Sequence, residues 1–127
     1  MPDHTAKAKI LYIEDDPFLR QIVSSTLEEQ GLQVRTASNG QEGVAMALEW
    51  LADLILMDLK MPIMDGFQAT KALQADPRTR HIPIVAFSAA FEPGIRARTQ
   101  AAGMNGFIQK PISPDKLVRI IRAYLPG

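Results

Sequence analysis

The sequence predicts an α/β fold: a mainly parallel sheet, doubly wound, with helices on both faces. Three observations predict it. Short apolar runs alternate strictly with helix-length segments, five times along the chain. The run Leu54–Ile55–Leu56–Met57 is continuously apolar, as a strand covered on both faces must be. Three of the runs end in charged residues: Asp15-Asp16 after the first, Asp58 after the third and Lys110 after the fifth. In a parallel sheet the carboxyl ends lie together, and ligands bind in the crevice beside them.

Each element follows from local chemistry. Residues 1–7 read as a lead-in, and Ala8 to Glu14 as a buried strand. Pro17 suits the first turn of a helix, with Asp15 or Asp16 near its amino end. Leu19, Ile22, Val23 and Leu27 recur at helical spacing, and Gly31 stops the helix. Leu32 to Ala37 is a strand, Asn39-Gly40 a turn, and Gln41 to Trp50 a helix. Leu54 to Asp58 is the third strand. Phe67 to Ala75 is a helix ended by Asp76-Pro77. Ile82 to Phe87 is a strand, Gly94 to Ala102 a helix ended by Gly103, and Asn105 to Gln109 the fifth strand. Pro114 to Tyr124 is the last helix. Right-handed crossovers distribute the helices over both faces of the sheet.

The 127 residues fit one domain, 1–127, with a single core. The formal net charge of +0 gives no global basic bias toward nucleic acid or an anionic membrane. Arg78, Arg80 and His81 read as a solvated loop, and no stacking aromatics are interleaved with Arg96 and Arg98. With no cysteine, thiol chemistry is excluded. No apolar stretch has the length of a signal core or a bilayer span, so no membrane insertion is expected and a cytoplasmic location is. His4 and His81 lie far from the acids in sequence and do not read as ligands.

Four segments resemble one family. ILYIEDDP at 10–17, LILMDLKMPIMDG at 54–66, IPIVAFSA at 82–89 and AAGMNGFIQKP at 101–111 resemble, in order and spacing, the response-regulator receiver domain. The resemblance covers about residues 8 to 125. It implies a flavodoxin-like five-stranded parallel sheet of order 2-1-3-4-5, an order carried over from the family and not read from spacing. It also implies an activity. Members catalyse their own phosphorylation on an aspartate, from a phosphohistidine donor with magnesium, and later hydrolyse the acyl phosphate. The expected partners are a histidine kinase or histidine phosphotransfer protein and a downstream protein target, and a homodimer is compatible with the family.

The resemblance assigns roles residue by residue. Asp58 is the expected phosphoacceptor, an ionised carboxylate held rigidly at a strand end. Asp15 and Asp16 are the expected metal pair, with Asp16 binding directly and Asp15 through water; Asp-Asp-Pro is also compatible with helix capping. Asp58 and the Lys60 backbone carbonyl complete the expected magnesium ligands, hard oxygen donors of the kind that ion takes. Lys110 is the expected phosphoryl clamp, paired with Asp58 at rest. Ser88 is the expected switch hydroxyl, where threonine is common in the family. Phe107 is the expected switch aromatic, where tyrosine is frequent and its hydroxyl is here missing. The Lys110–Pro111 bond is expected to be cis, because the chain must turn back toward Asp58 within Pro111-Ile112-Ser113, and proline makes that bond cheap. Asp65-Gly66 reads as a turn able to take a positive φ.

Phe18 beside Pro17, and Ile120 and Tyr124 on the last helix, are candidate contact residues. Other functions fit less well. A degenerate receiver serving only as a protein-binding module is opposed by the set Asp15, Asp16, Asp58, Ser88 and Lys110. A nucleotide or flavin carrier would want a glycine-rich cradle after the first strand, where this chain is acidic. An aspartate-nucleophile phosphatase typically has another aspartate where Lys60 stands.

Overall fold

The computed structural model describes residues 7–125. The lead-in read over 1–7 and His4 therefore lie almost wholly outside the described residues. Five strands and five helices alternate: β1 (Lys9–Ile13), α1 (Pro17–Glu29), β2 (Gln33–Ala37), α2 (Gly40–Trp50), β3 (Leu54–Met57), α3 (Gly66–Ala75), β4 (Ile84–Ser88), α4 (Ile95–Ala101), β5 (Gly106–Gln109) and α5 (Pro114–Tyr124). The sheet has the order β2-β1-β3-β4-β5, and every pairing is parallel. The carboxyl ends of all five strands therefore share one edge of the molecule.

Alternation of side chains along the strands divides the core in two. Ile10, Tyr12, Leu54, Leu56, Val85, Phe87 and Ile108 meet Val23 and Leu27 of α1 and Leu117, Val118 and Ile121 of α5. Leu11, Ile13, Ile55, Met57, Ile84 and Ala86 meet Ala47 of α2 and Ala69 and Leu73 of α3. The continuous apolar run of β3 thus feeds both layers at once.

Boundaries shift from the sequence expectation where a backbone group is engaged elsewhere. The Leu32 N–H donates to the Leu27 carbonyl at 3.2 Å, which keeps Leu32 in the helix exit, and Gly31 turns the chain at φ 85°. The Ile82 N–H donates to the Thr79 carbonyl at 3.0 Å, so β4 begins after Pro83. Asn39 is no free turn: its side chain caps α2 through the Glu42 N–H. The Lys110–Pro111 bond is cis.

The loop after β3 departs from expectation. Its positive φ falls on Ile63, at 71°, and not on Gly66. The Met64 N–H donates to the Pro62 carbonyl at 2.7 Å, closing a three-residue turn about Ile63. Asp65 caps α3 in a reciprocal box with Gln68. Gly66 serves for a different reason: an added Cβ would collide with the Asp58 carbonyl oxygen and lie 3.0 Å from the Leu59 Cα. Gly66→Ala should therefore destabilise the fold by about 2 kcal/mol or more, despite the better helix propensity of alanine. Urea unfolding measures it; a neutral or stabilising change would refute the close approach.

Candidate functional site

The strand ends collect the site. Asp58 follows β3 directly, and its N–H still donates to the Ile13 carbonyl of β1 at 3.0 Å. The residue is only 7% exposed. Its Oδ1 accepts the Leu59 N–H at 2.8 Å, which orients the carboxylate. Glu14 follows β1 in the same way, with its N–H on the Ala37 carbonyl of β2 at 2.9 Å. Glu14 is 1% exposed. Carboxylate oxygens of Glu14, Asp15 and Asp58 all lie within 4.8 Å of one another.

This corrects the expected acidic pair. The structure gathers Glu14 and Asp15 beside Asp58, and it places Asp16 elsewhere. The Asp16 side chain caps α1, accepting the Phe18 N–H at 2.9 Å and the Leu19 N–H at 3.4 Å. The reason is local. Pro17 opens the helix, the first turn leaves its N–H groups without partners, and the adjacent carboxylate satisfies them. Glu14 is the site residue that the sequence reading missed. Its signal was present: the acidic run is Glu14-Asp15-Asp16, and Glu14 alone directly ends a buried strand, where a carboxylate needs partners.

Lys110 follows β5, and its N–H donates to the Ser88 carbonyl at 2.9 Å. Its ammonium was expected on Asp58 at rest. It lies instead 2.5 Å from Glu14 Oε1 and 3.9 Å from Asp58 Oδ1. The ammonium also sits 5.1 Å from the centre of the Phe87 ring. The ammonium thus pairs with Glu14, the acid that directly follows β1, and only approaches Asp58.

The electrostatics follow from this crowding. Burial pushes the Asp58 carboxyl up, the Glu14 charge adds to the effect, and Lys110 only partly opposes it; the result is about 7. Burial likewise raises the Asp15 carboxyl, helped by Glu14. Burial also acts upward on Glu14, but the hydrogen bond and charge of Lys110 outweigh it, and the net displacement is downward. Two acids resist ionisation beside a third that is charged. A divalent cation relieves that conflict, and three carboxylates are the hard oxygen donors that magnesium prefers. The residues present fit that ion.

Ser88 ends β4 and is buried, and its Oγ accepts the Ala90 N–H at 3.1 Å. The Lys60 side chain turns to Glu92, with Nζ 2.8 Å from Oε1 and both groups exposed. That bridge links the β3–α3 loop to the β4–α4 loop. Phe107 lies on β5, packed against the α2–α3 layer, with the Arg96 guanidinium 4.5 Å from its ring centre. Of the candidate contact residues, Phe18 is 70% exposed, Tyr124 closes over Gly106, and Ile120 packs against the α1–α5 layer. Arg78 pairs with Asp76 at 2.8 Å in an exposed loop. Among the described residues no helix is long and apolar enough to cross a membrane.

The profile of the family described as the response regulator receiver domain matches residues 10–122. The chain is 34% identical over 120 residues to protein PilH of Pseudomonas aeruginosa, covering 94% of this chain and 99% of that protein. Its fold superposes on the chemotaxis protein CheY4 of Vibrio cholerae with a TM-score of 0.89 and 33% identity, over 94% of this chain and 100% of the other. It also superposes on the receiver domain of a Pseudomonas aeruginosa sensor histidine kinase, with a TM-score of 0.86 and 33% identity, over 94% of this chain and 98% of the other. That structure has a magnesium ion coordinated in its active-site cleft. Fold, acidic cluster and relatives agree: the chain belongs to the response-regulator receiver family, an α/β domain whose acidic cluster supports magnesium-dependent phosphorylation and signalling through protein contacts.

Proposed function

We propose that Asp58 is the phosphoacceptor, and that residues 1–127 act as a single receiver domain in the cytoplasm. A histidine kinase or a histidine phosphotransfer protein supplies the phosphoryl group, and a downstream protein reads the result. The observation that carries this reading is the position of Asp58: almost buried, oriented by the Leu59 N–H, and within 4.8 Å of two further carboxylates. Asp15, Glu14, Asp58 and the Lys60 carbonyl would hold magnesium, whose charge would offset that of the acids and of the incoming phosphoryl oxygens.

The chain's own groups account for the chemistry. A carboxylate oxygen of Asp58 attacks phosphorus, an O–P bond forms, and the P–N bond of the donor breaks. The departing imidazole nitrogen keeps the bonding pair and takes a proton from water. Lys110 moves from Glu14 toward the phosphoryl oxygens, and Ser88 exchanges the Ala90 N–H contact for donation of its O–H to one of them. Phe107 follows Ser88 through packing alone, because it has no hydroxyl. In the reverse half of the cycle water attacks phosphorus, the O–P bond to Asp58 breaks, and inorganic phosphate leaves. Ala90 offers that water no polar side chain.

Intact mass after incubation with magnesium and phosphoramidate tests the assignment. Wild type should gain one phosphoryl group and Asp58→Ala none. Equal uptake by both would remove Asp58 from the reaction. No uptake by wild type would favour the other reading, a receiver that only binds proteins.

A further inference from the structure

One buried polar group at the site has no part in the scheme above. Tyr12 lies in the middle of β1, between Leu11 and Ile13, and is 0% exposed. Its ring packs in the α1–α5 layer, 6.2 Å from the Phe87 ring centre. A phenylalanine would fill that space equally well. The hydroxyl is a burden in an apolar layer unless it is bonded, and it donates to Glu14 Oε1 at 3.1 Å. Strand alternation makes this possible, because residues 12 and 14 point to the same face.

The same oxygen, Glu14 Oε1, accepts from Lys110 at 2.5 Å, while Oε2 accepts the Asp16 N–H at 3.2 Å. Three donors therefore hold a carboxylate that water does not reach. One of the three must leave during the reaction. Lys110 stands 3.9 Å from Asp58 Oδ1, so it has to give up part of its hold on Glu14 to meet the phosphoryl oxygens. When it does, Tyr12 is the protein donor that still orients Glu14 Oε1, the carboxylate that would also hold magnesium.

We propose that Tyr12 is a positioning residue for the phosphorylation of Asp58: its hydroxyl fixes the orientation of the Glu14 carboxylate, which would also hold magnesium, while Lys110 turns to the phosphoryl group. This rests on the reading of Asp58 as the acceptor. Tyr12 touches neither donor nor phosphoryl group. It acts through Glu14, and through Glu14 on Lys110. The glutamate matters here, because an aspartate at 14 would withdraw the carboxylate by one methylene, beyond reach of the phenol.

The test is a double-mutant cycle on the rate of phosphoryl uptake from phosphoramidate at saturating magnesium, read by intact mass well below the melting temperature. Tyr12→Phe should slow uptake about tenfold, the loss of one hydrogen bond to a buried charge. Glu14→Asp should slow it as well. In the Glu14→Asp background, Tyr12→Phe should then change the rate less than about twofold, because the contact is already gone. A merely structural tyrosine predicts otherwise: a lowered melting temperature with an unchanged rate, or the same loss of rate in both backgrounds. Either outcome overturns the proposal. Wild type that takes up no phosphoryl group overturns the reading of Asp58 and the proposal with it; wild type that reacts at the same rate as Tyr12→Phe overturns the proposal alone.

Discussion

Asp58→Asn should stabilise the metal-free protein at pH 8 by about 2 kcal/mol and leave it almost unchanged at pH 4. In the folded chain the Asp58 carboxyl is raised from 3.8 to about 7, by burial first and by Glu14 second. The folded state therefore binds this proton more tightly than the unfolded chain does. A group raised in this way contributes its stability in full below the unfolded value, near pH 4. That contribution fades as pH rises through the folded value, near 7. Asparagine carries no charge at any of these pH values, so the variant escapes the loss. A displacement of that size has a ceiling of about 4 kcal/mol, and partial solvation of the site reduces it to roughly half. Magnesium should close the gap at pH 8. It stabilises wild type by binding the folded form, and the variant has lost one of its ligands. Urea unfolding from pH 4 to 8, with and without magnesium, provides the measurement. A stability difference independent of pH, or a wild type more stable than the variant at pH 8 without metal, would contradict the electrostatic account.

Lys110→Met should cost about 3 kcal/mol at pH 8, although methionine keeps most of the apolar stem. The loss comes from Glu14, which is 1% exposed and would be left charged with its closest cationic partner gone. Removing the charge as well should return most of the stability: Glu14→Gln added to Lys110→Met should recover about 2 kcal/mol. Glu14→Gln in wild type should instead destabilise, because it breaks the pair from the other side. The non-additivity separates an ion pair from two independent packing effects. If Lys110→Met costs less than about 0.5 kcal/mol, the pair is not what holds Glu14 in place.

Both expectations turn on Glu14, the residue that the sequence reading passed over. The acidic run after β1 was visible, and so was the need for a cation beside Asp58. Which two of three consecutive acids face the crevice was not. The family resemblance pointed to Asp15 and Asp16 as the pair, yet the helix start at Pro17 takes Asp16 away from the site, because the cap needs it. The capping alternative was legible for Asp16, and its competition with metal binding was decided by backbone geometry. The same holds at Lys110. Its convergence on the acids follows from strand order, but its closer approach to Glu14 than to Asp58 is a matter of distances in the folded chain, which no spacing encodes. Around Gly66 the reading found the right residue and the wrong reason: the glycine is required by a carbonyl 8 residues earlier in the chain and not by its own φ.

The sequence by itself determined the alternation of five strands and five helices, the layers that bury them, and the charged strand ends that a parallel sheet must bring together. Those features are periodic or local, so they can be read from neighbours along the chain. Helix starts and ends were legible to within a residue or two for the same reason, while the turn after β3 was not. Only the tertiary structure decided which carboxylates meet, which one the lysine holds, and that the Tyr12 hydroxyl reaches the same oxygen. These depend on distances between residues up to 96 positions apart and on how completely water is excluded from each group. A charge in a buried cleft is governed by its few nearest partners, and folding alone chooses them.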